Sequence, residues 1–176
     1  MLMSKMKKIT MIEFISCLSA CILGVIFHFV YHWSNRLFVI GLFFPINESI
    51  WEHLKLIFFP IMIVSLIEYS VILSYIDKHL VSKNTSLASP HYSYLICIKL
   101  KSAIVGMQST VILYYTLNGM FGRTPDFVNI FIYFISMSIA YFYSNTQIKS
   151  DLANTESDSC EINTFQFINR FQWYIL

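Results

Sequence analysis

The feature that most constrains this chain is the length of its apolar runs. The residues from Ile9 to Tyr31, and again from Leu54 to Ile76, are mostly apolar. At 1.5 Å per residue, a helix of either length reaches across a hydrocarbon core of about 30 Å. Two further runs follow, from Tyr92 to Leu117 and from Phe127 to about Tyr143. Inside lipid, backbone N–H and C=O groups must be satisfied within their own segment, which selects helices for such runs. Charge agrees, since only 12% of the residues are charged, against roughly 25% in soluble domains. The expected fold is all-α, a helical membrane bundle with about four transmembrane helices. It divides into a multi-pass transmembrane domain over residues 1–145 and a polar tail over 146–176, interfacial or disordered.

The first run follows Lys5, Lys7 and Lys8. It is longer than the apolar region of a signal peptide, about 7 to 15 residues, and ends in bulky Phe27 to Tyr31 rather than small residues. It therefore reads as a retained helix. The ten residues Leu37 to Ile46, LFVIGLFFPI, are too few to cross as a helix, so they are expected to form a short re-entrant or interfacial segment broken at Gly41 and Pro45.

The second long helix has two overlapping start signals: Asn47 as a cap, or Ser49 with Glu52 as a capping box. Pro60 falls inside this span and would bend it locally. Asp77 to His91 and Asn118 to Asp126 read as loops. Lys99 and Lys101 fall in the first half of the third span and are expected to snorkel back to the interface.

Basic residues fix an expected orientation. With the amino terminus inside, nine of the twelve Lys and Arg residues lie on or near the cytoplasmic side, leaving Arg36, Lys55 and Arg123 outside. This is the positive-inside bias, and it places both termini in the cytoplasm of a cell-membrane protein. Nucleic-acid binding has no support, because the basic residues form no stripe. Walker, dinucleotide, H-E-x-x-H and G-x-S-x-G patterns are absent, and the sequence names no cofactor.

Ionisable groups at or within the bilayer are costly, so they mark where function is sought. His28 and His32 share one helix face at the end of the first span; Glu48 and Glu52 are four apart at the start of the second, followed by His53 and Lys55. If the two helices are neighbours, the set meets near the outer interface. Three readings of it stand. It can be structural, with Glu52 and Lys55 as an ordinary ion pair. It can bind a ligand, an ion or a metal such as zinc, with His28, His32, Glu48 and Glu52 as metal candidates and Asn47, Trp51 and His53 completing a ligand site. It can also be catalytic, with Glu52 and His53 as the acid–base pair of an intramembrane enzyme.

Glu13 and Glu68 are carboxylates in apolar runs. Glu13, near the cytoplasmic end, is expected to be solvated, which leaves Glu68 as a proton-relay candidate or a helix-packing group. Cys17 and Cys21 are expected to be small buried side chains. The polar residues Ser102, Gln108, Ser109 and Thr110 should join helices. The tyrosines Tyr114, Tyr115, Tyr133, Tyr141 and Tyr143 should mark membrane edges.

FHFVYHWS at 27–34 and GLFFPINESIWEHLKLIFFP at 41–60 resemble an uncharacterised family of small bacterial multi-pass membrane proteins, the DUF6512 family. The hallmark P-x-N-E-S-x-W-E-H-L-K-L is matched by Pro45, Asn47, Glu48, Ser49, Trp51, Glu52, His53, Leu54, Lys55 and Leu56. The helix pattern carries the resemblance over roughly residues 10–145. It implies membrane lipid as the surroundings and no established activity. A non-catalytic accessory role, with another membrane protein as partner, is equally compatible. Relatives are expected to continue into a further apolar helix where this chain turns acidic after Ser150.

Overall fold

The computed structural model describes residues 2–79, 90–122 and 125–154, with side chains over 6–71, 95–122 and 125–150. Its regular elements there are all helices: α1 (Leu2–Trp33), α2 (Phe38–Gly41), α3 (Ile50–His53), α4 (Lys55–His79), α5 (Pro90–Phe121) and α6 (Asp126–Asn154). Among the described residues, four segments are long and apolar enough to cross a membrane: Met6–Trp33, Ile50–Val71, Leu95–Phe121 and Asp126–Ser150. The expected Asp77–His91 loop is narrower than the spacing of polar residues suggested. Helix α4 continues through Asp77 and Lys78, and α5 starts at Pro90, whose missing N–H costs nothing at a first helical position. The rest of that loop, and residues 155–176 of the polar tail, lie outside the described residues.

The long helices form an up-and-down ring in which α1 packs on α4 and α6, and α5 packs on the same two. The distribution of polarity is the reverse of a soluble bundle. Phe14, Phe131 and Phe142 point outward and are 63–70% exposed, while Glu13, Ser16, Ser65, Glu68, Lys99, Ser102, Ser136 and Ser144 are buried. That arrangement suits surroundings of lipid, where an apolar exterior costs nothing and polar groups need partners inside.

The core has three layers along the bundle axis. Ile9, Leu95, Ile98 and Ile148 close one end. A longer layer of Ala20, Cys21, Ile57, Ile61, Val64, Ala103, Met137, Ala140 and Tyr141 fills the middle. Between them sits a polar layer. Small residues let the helices approach in the middle layer: a Cβ on Gly106 would lie 3.0 Å from both the Ala140 Cβ and the Ile57 Cγ2. Ser102 sews α5 to α6 by donating to the Ala140 carbonyl at 2.7 Å. Ser109 and Thr110 instead donate to carbonyls of their own helix, and Gln108 is exposed, so only Ser102 of that polar group is seen to join helices.

Pro60 is fully buried inside α4. Its ring nitrogen cannot donate, so the carbonyl of Leu56 loses its helical partner. Helix α1 presents Gly24 to that carbonyl, and a Cβ there would lie 2.9 Å from the Leu56 oxygen and overlap the Tyr133 hydroxyl. The same hydroxyl donates to the Cys21 carbonyl at 3.1 Å. Tyr133 therefore ties α6 to α1 rather than marking a membrane edge. Gly24→Ala is expected to cost about 1–3 kcal/mol through overpacking, read as a shift in the denaturation of detergent-solubilised protein. A change within about 0.5 kcal/mol would show that the three helices can part there freely.

Candidate functional site

The residues joining α1 to α4 build the site. Beyond Trp33, Asn35 and Arg36 take positive φ of 54° and 59° and turn the chain out of the helix. The apolar run that follows holds only one short helical turn, α2, before the chain comes back to α3. It is packed rather than loose: the Phe27 and Phe44 rings meet edge-on at 4.5 Å, and Phe43 meets Phe59 at 5.4 Å. Gly41 is buried under Ile46 and Tyr31, with no room for a side chain.

Glu52 and Lys55 pin this excursion to the start of α4. The Lys55 ammonium donates to the Gly41 carbonyl at 2.8 Å and to Glu52 Oε2 at 2.9 Å. The same carboxylate oxygen accepts from the Ile46 N–H at 3.0 Å. Thus the expected capping box is not made, because Glu52 reaches back to Ile46 instead of to Ser49. Asn47 does not cap the helix either: its Oδ1 accepts from the Ser49 N–H at 3.0 Å, closing a local turn, and Ser49 stands at the α3 N-cap with no side-chain bond.

That turn points Glu48 across to α1. His28 Nε2 lies 3.6 Å from Glu48 Oε1, and His53 Nε2 lies 3.3 Å from Glu48 Oε2. The two imidazole rings are 5.4 Å apart, and one ligand atom from each of the three residues falls within 4.8 Å of the others. His53 is further fixed by its Nδ1, 2.8 Å from the Ser49 carbonyl. A carbonyl can only accept, so Nδ1 carries a hydrogen and Nε2 is the ring nitrogen turned towards Glu48. The imidazoles are partly covered, while the Glu48 side chain is 80% exposed.

The structure therefore brings together His28, Glu48 and His53. It does not bring in His32, which is exposed beside Tyr31, or Glu52, which is spent on Lys55 and Ile46. Trp51 faces outward at 62% exposure, on the outer side of the same short helix. Cys17 and Cys21 stay within the bundle, and Cys17 Sγ lies 4.0 Å from the Met137 carbonyl.

A second polar constellation occupies the layer inside the bundle, and here three expectations fail. Glu13 is not solvated but 2% exposed, and Lys99 does not snorkel but is 3% exposed. The Lys99 ammonium donates to both oxygens of Glu13 at 2.8 Å and lies 2.7 Å from Glu68 Oε2. Ser144 donates to Glu13 Oε1 at 2.9 Å. Tyr141, expected at a membrane edge, is buried with its ring 4.7 Å from the ammonium. The physical reason is pairing: an ammonium with two carboxylates and a π-face can remain in the bundle, where a lone one would have to reach water.

Compared with known families, residues 1–151 match the profile described as a family of unknown function, DUF6512. No curated protein and no solved structure matches the chain.

Proposed function

The chain belongs to the DUF6512 family, and we propose that this member binds a divalent transition-metal ion, of which zinc fits best, through His28, Glu48 and His53 at the outer membrane interface. The observation that carries the reading is the bond from His53 Nδ1 to the Ser49 carbonyl at 2.8 Å. Metal-ligating histidines almost always donate their second ring nitrogen in this way, because it fixes the tautomer and orients the ligand lone pair. The spacing supports it. Two ligand atoms each about 2.0–2.1 Å from a tetrahedral zinc stand about 3.3 Å apart. The histidine contacts of 3.6 and 3.3 Å reach different oxygens of Glu48, and with one ligand atom from each residue the three lie within 4.8 Å of one another, so the side chains close in slightly around an ion.

Two imidazoles and one carboxylate leave a fourth tetrahedral position for water or for an oxygen of a substrate, the pattern of open rather than structural zinc sites. Glu52 lies outside this set and acts through the loop that carries Glu48. This favours metal binding over an acid–base pair of Glu52 and His53. The outward placement rests on the lysine and arginine bias, which puts the α1–α4 connection opposite both termini.

Calorimetric titration of purified protein in nanodiscs with Zn²⁺ is expected to give one site per chain, lost in His28→Ala. Full stoichiometry and affinity in that variant would discard the assignment.

A further inference from the structure

The ionic layer inside the bundle has one feature that a purely structural staple would lack. Glu13 is fully used: Lys99 donates to both of its oxygens, and Ser144 donates to one. Glu68 is not. It is 3% exposed, its Oε2 touches the ammonium at 2.7 Å outside hydrogen-bond alignment, and its Oε1 has no donor among the described residues. Beside it lies a cavity of about 10 Å³ between α4 and α5, lined by Ser65, Glu68, Tyr69, Leu95, Ile96 and Lys99. That is room for about one water, provided the walls offer it polar partners. Here Ser65, Tyr69 and the two charged groups do.

We propose that this cavity is a proton-exchange site, with Glu68 as the group that takes up and releases the proton through a water held in the cavity. The charge count supports it. Two carboxylates face one ammonium, so with every group ionised the set carries one uncompensated negative charge, and one bound proton removes it. The step balances simply: an O–H bond forms at Glu68 Oε1 as one O–H bond of a hydronium breaks, leaving water, and release reverses it. Around the ionic set as a whole, α1 contributes Glu13 and Cys17, α4 Tyr69 and α5 Lys99; α6 supplies Tyr141 and Ser144. Apolar layers bound the site along the bundle axis, with Ile9 and Ile98 at one end and Ala20 and Ile61 at the other.

The test is infrared difference spectroscopy of the full chain in liposomes as pH is varied, in H₂O and in D₂O. The expected result is a carboxyl C=O band, sensitive to deuterium, that grows as pH falls, shifts on ¹³C-glutamate labelling and is missing in Glu68→Gln. Absence of such a band from the wild type, or its persistence in Glu68→Gln, would overturn the proposal. Should that variant fail to fold, Ser65→Ala decides: losing a polar wall of the cavity should move the band, and an unmoved band counts against the site.

Discussion

Lys99→Met is expected to destabilise the bundle by about 3–5 kcal/mol, the cost of removing one partner from a buried ionic set. The side chain lengths are similar, so little packing is lost. What is lost is the charge that lets Glu13 and Glu68, 2% and 3% exposed, stay between α1 and α4 within 3 Å of one ammonium. The effect should also be strongly non-additive. Changing all three groups at once, Glu13→Gln and Glu68→Leu with Lys99→Met, is expected to restore most of the stability, since neutral packing often matches a buried ion set. Unfolding of each variant in mixed detergent micelles measures this. A loss below about 1 kcal/mol, the ordinary worth of a solvent-exposed ion pair, would mean that water reaches the site.

This same layer shows where the sequence could be read and where it could not. The apolar runs placed the start of each of the four spans to within four residues, because span length and lipid thickness are local quantities, but the last helix runs on past the expected end at Tyr143, its span reaching Ser150. The ten-residue segment was legible as a short excursion for the same reason: Phe38–Gly41 is all the helix it forms. The partners of Lys99 were not legible from composition, because Glu13 is 86 residues away along the chain and pairing depends on which helix faces meet. A signal was nevertheless present. Counted from the expected cytoplasmic ends of their runs, Glu13 lies four residues in from Ile9, Lys99 seven from Tyr92 and Glu68 eight from Ile76. At 1.5 Å per residue these depths differ by only about 6 Å, and charges of opposite sign at similar depth in lipid have reason to meet.

At the connection between α1 and α4 the motif was legible and its division of labour was not. Glu48 and Glu52 are both carboxylates of one short stretch, with nothing in their spacing to say which faces His28. The turn closed by Asn47 onto the Ser49 N–H decides it, swinging Glu48 across to α1 and leaving Glu52 to hold Lys55 and Ile46. His32, one helical turn beyond His28, fails to join because α1 ends at Trp33 and the chain turns away at Asn35.

Substituting His53 by Ala is expected to abolish stabilisation by zinc, which at a hundredfold excess over the dissociation constant is worth about 2.7 kcal/mol to the wild type. Glu52→Ala should behave differently. It removes no ligand but loosens the loop that carries Glu48, so the affinity should fall by the roughly 10–100-fold typical of lost supporting contacts while one ion per chain still binds. The pH dependence separates the metal site from its bland rival, a set of ion pairs between protonated histidines and Glu48. Imidazole ligates metal as the neutral base, so protons compete with zinc and the zinc-dependent stabilisation must shrink as pH falls. An ion pair needs the imidazolium, so its contribution must first grow as pH falls while Glu48 remains ionised, with or without zinc. The two readings thus predict opposite signs in one experiment, thermal unfolding across pH with and without Zn²⁺. A zinc-independent gain on acidification, present in the wild type and lost in His53→Ala, would leave the ion pairs as the whole account of the cluster.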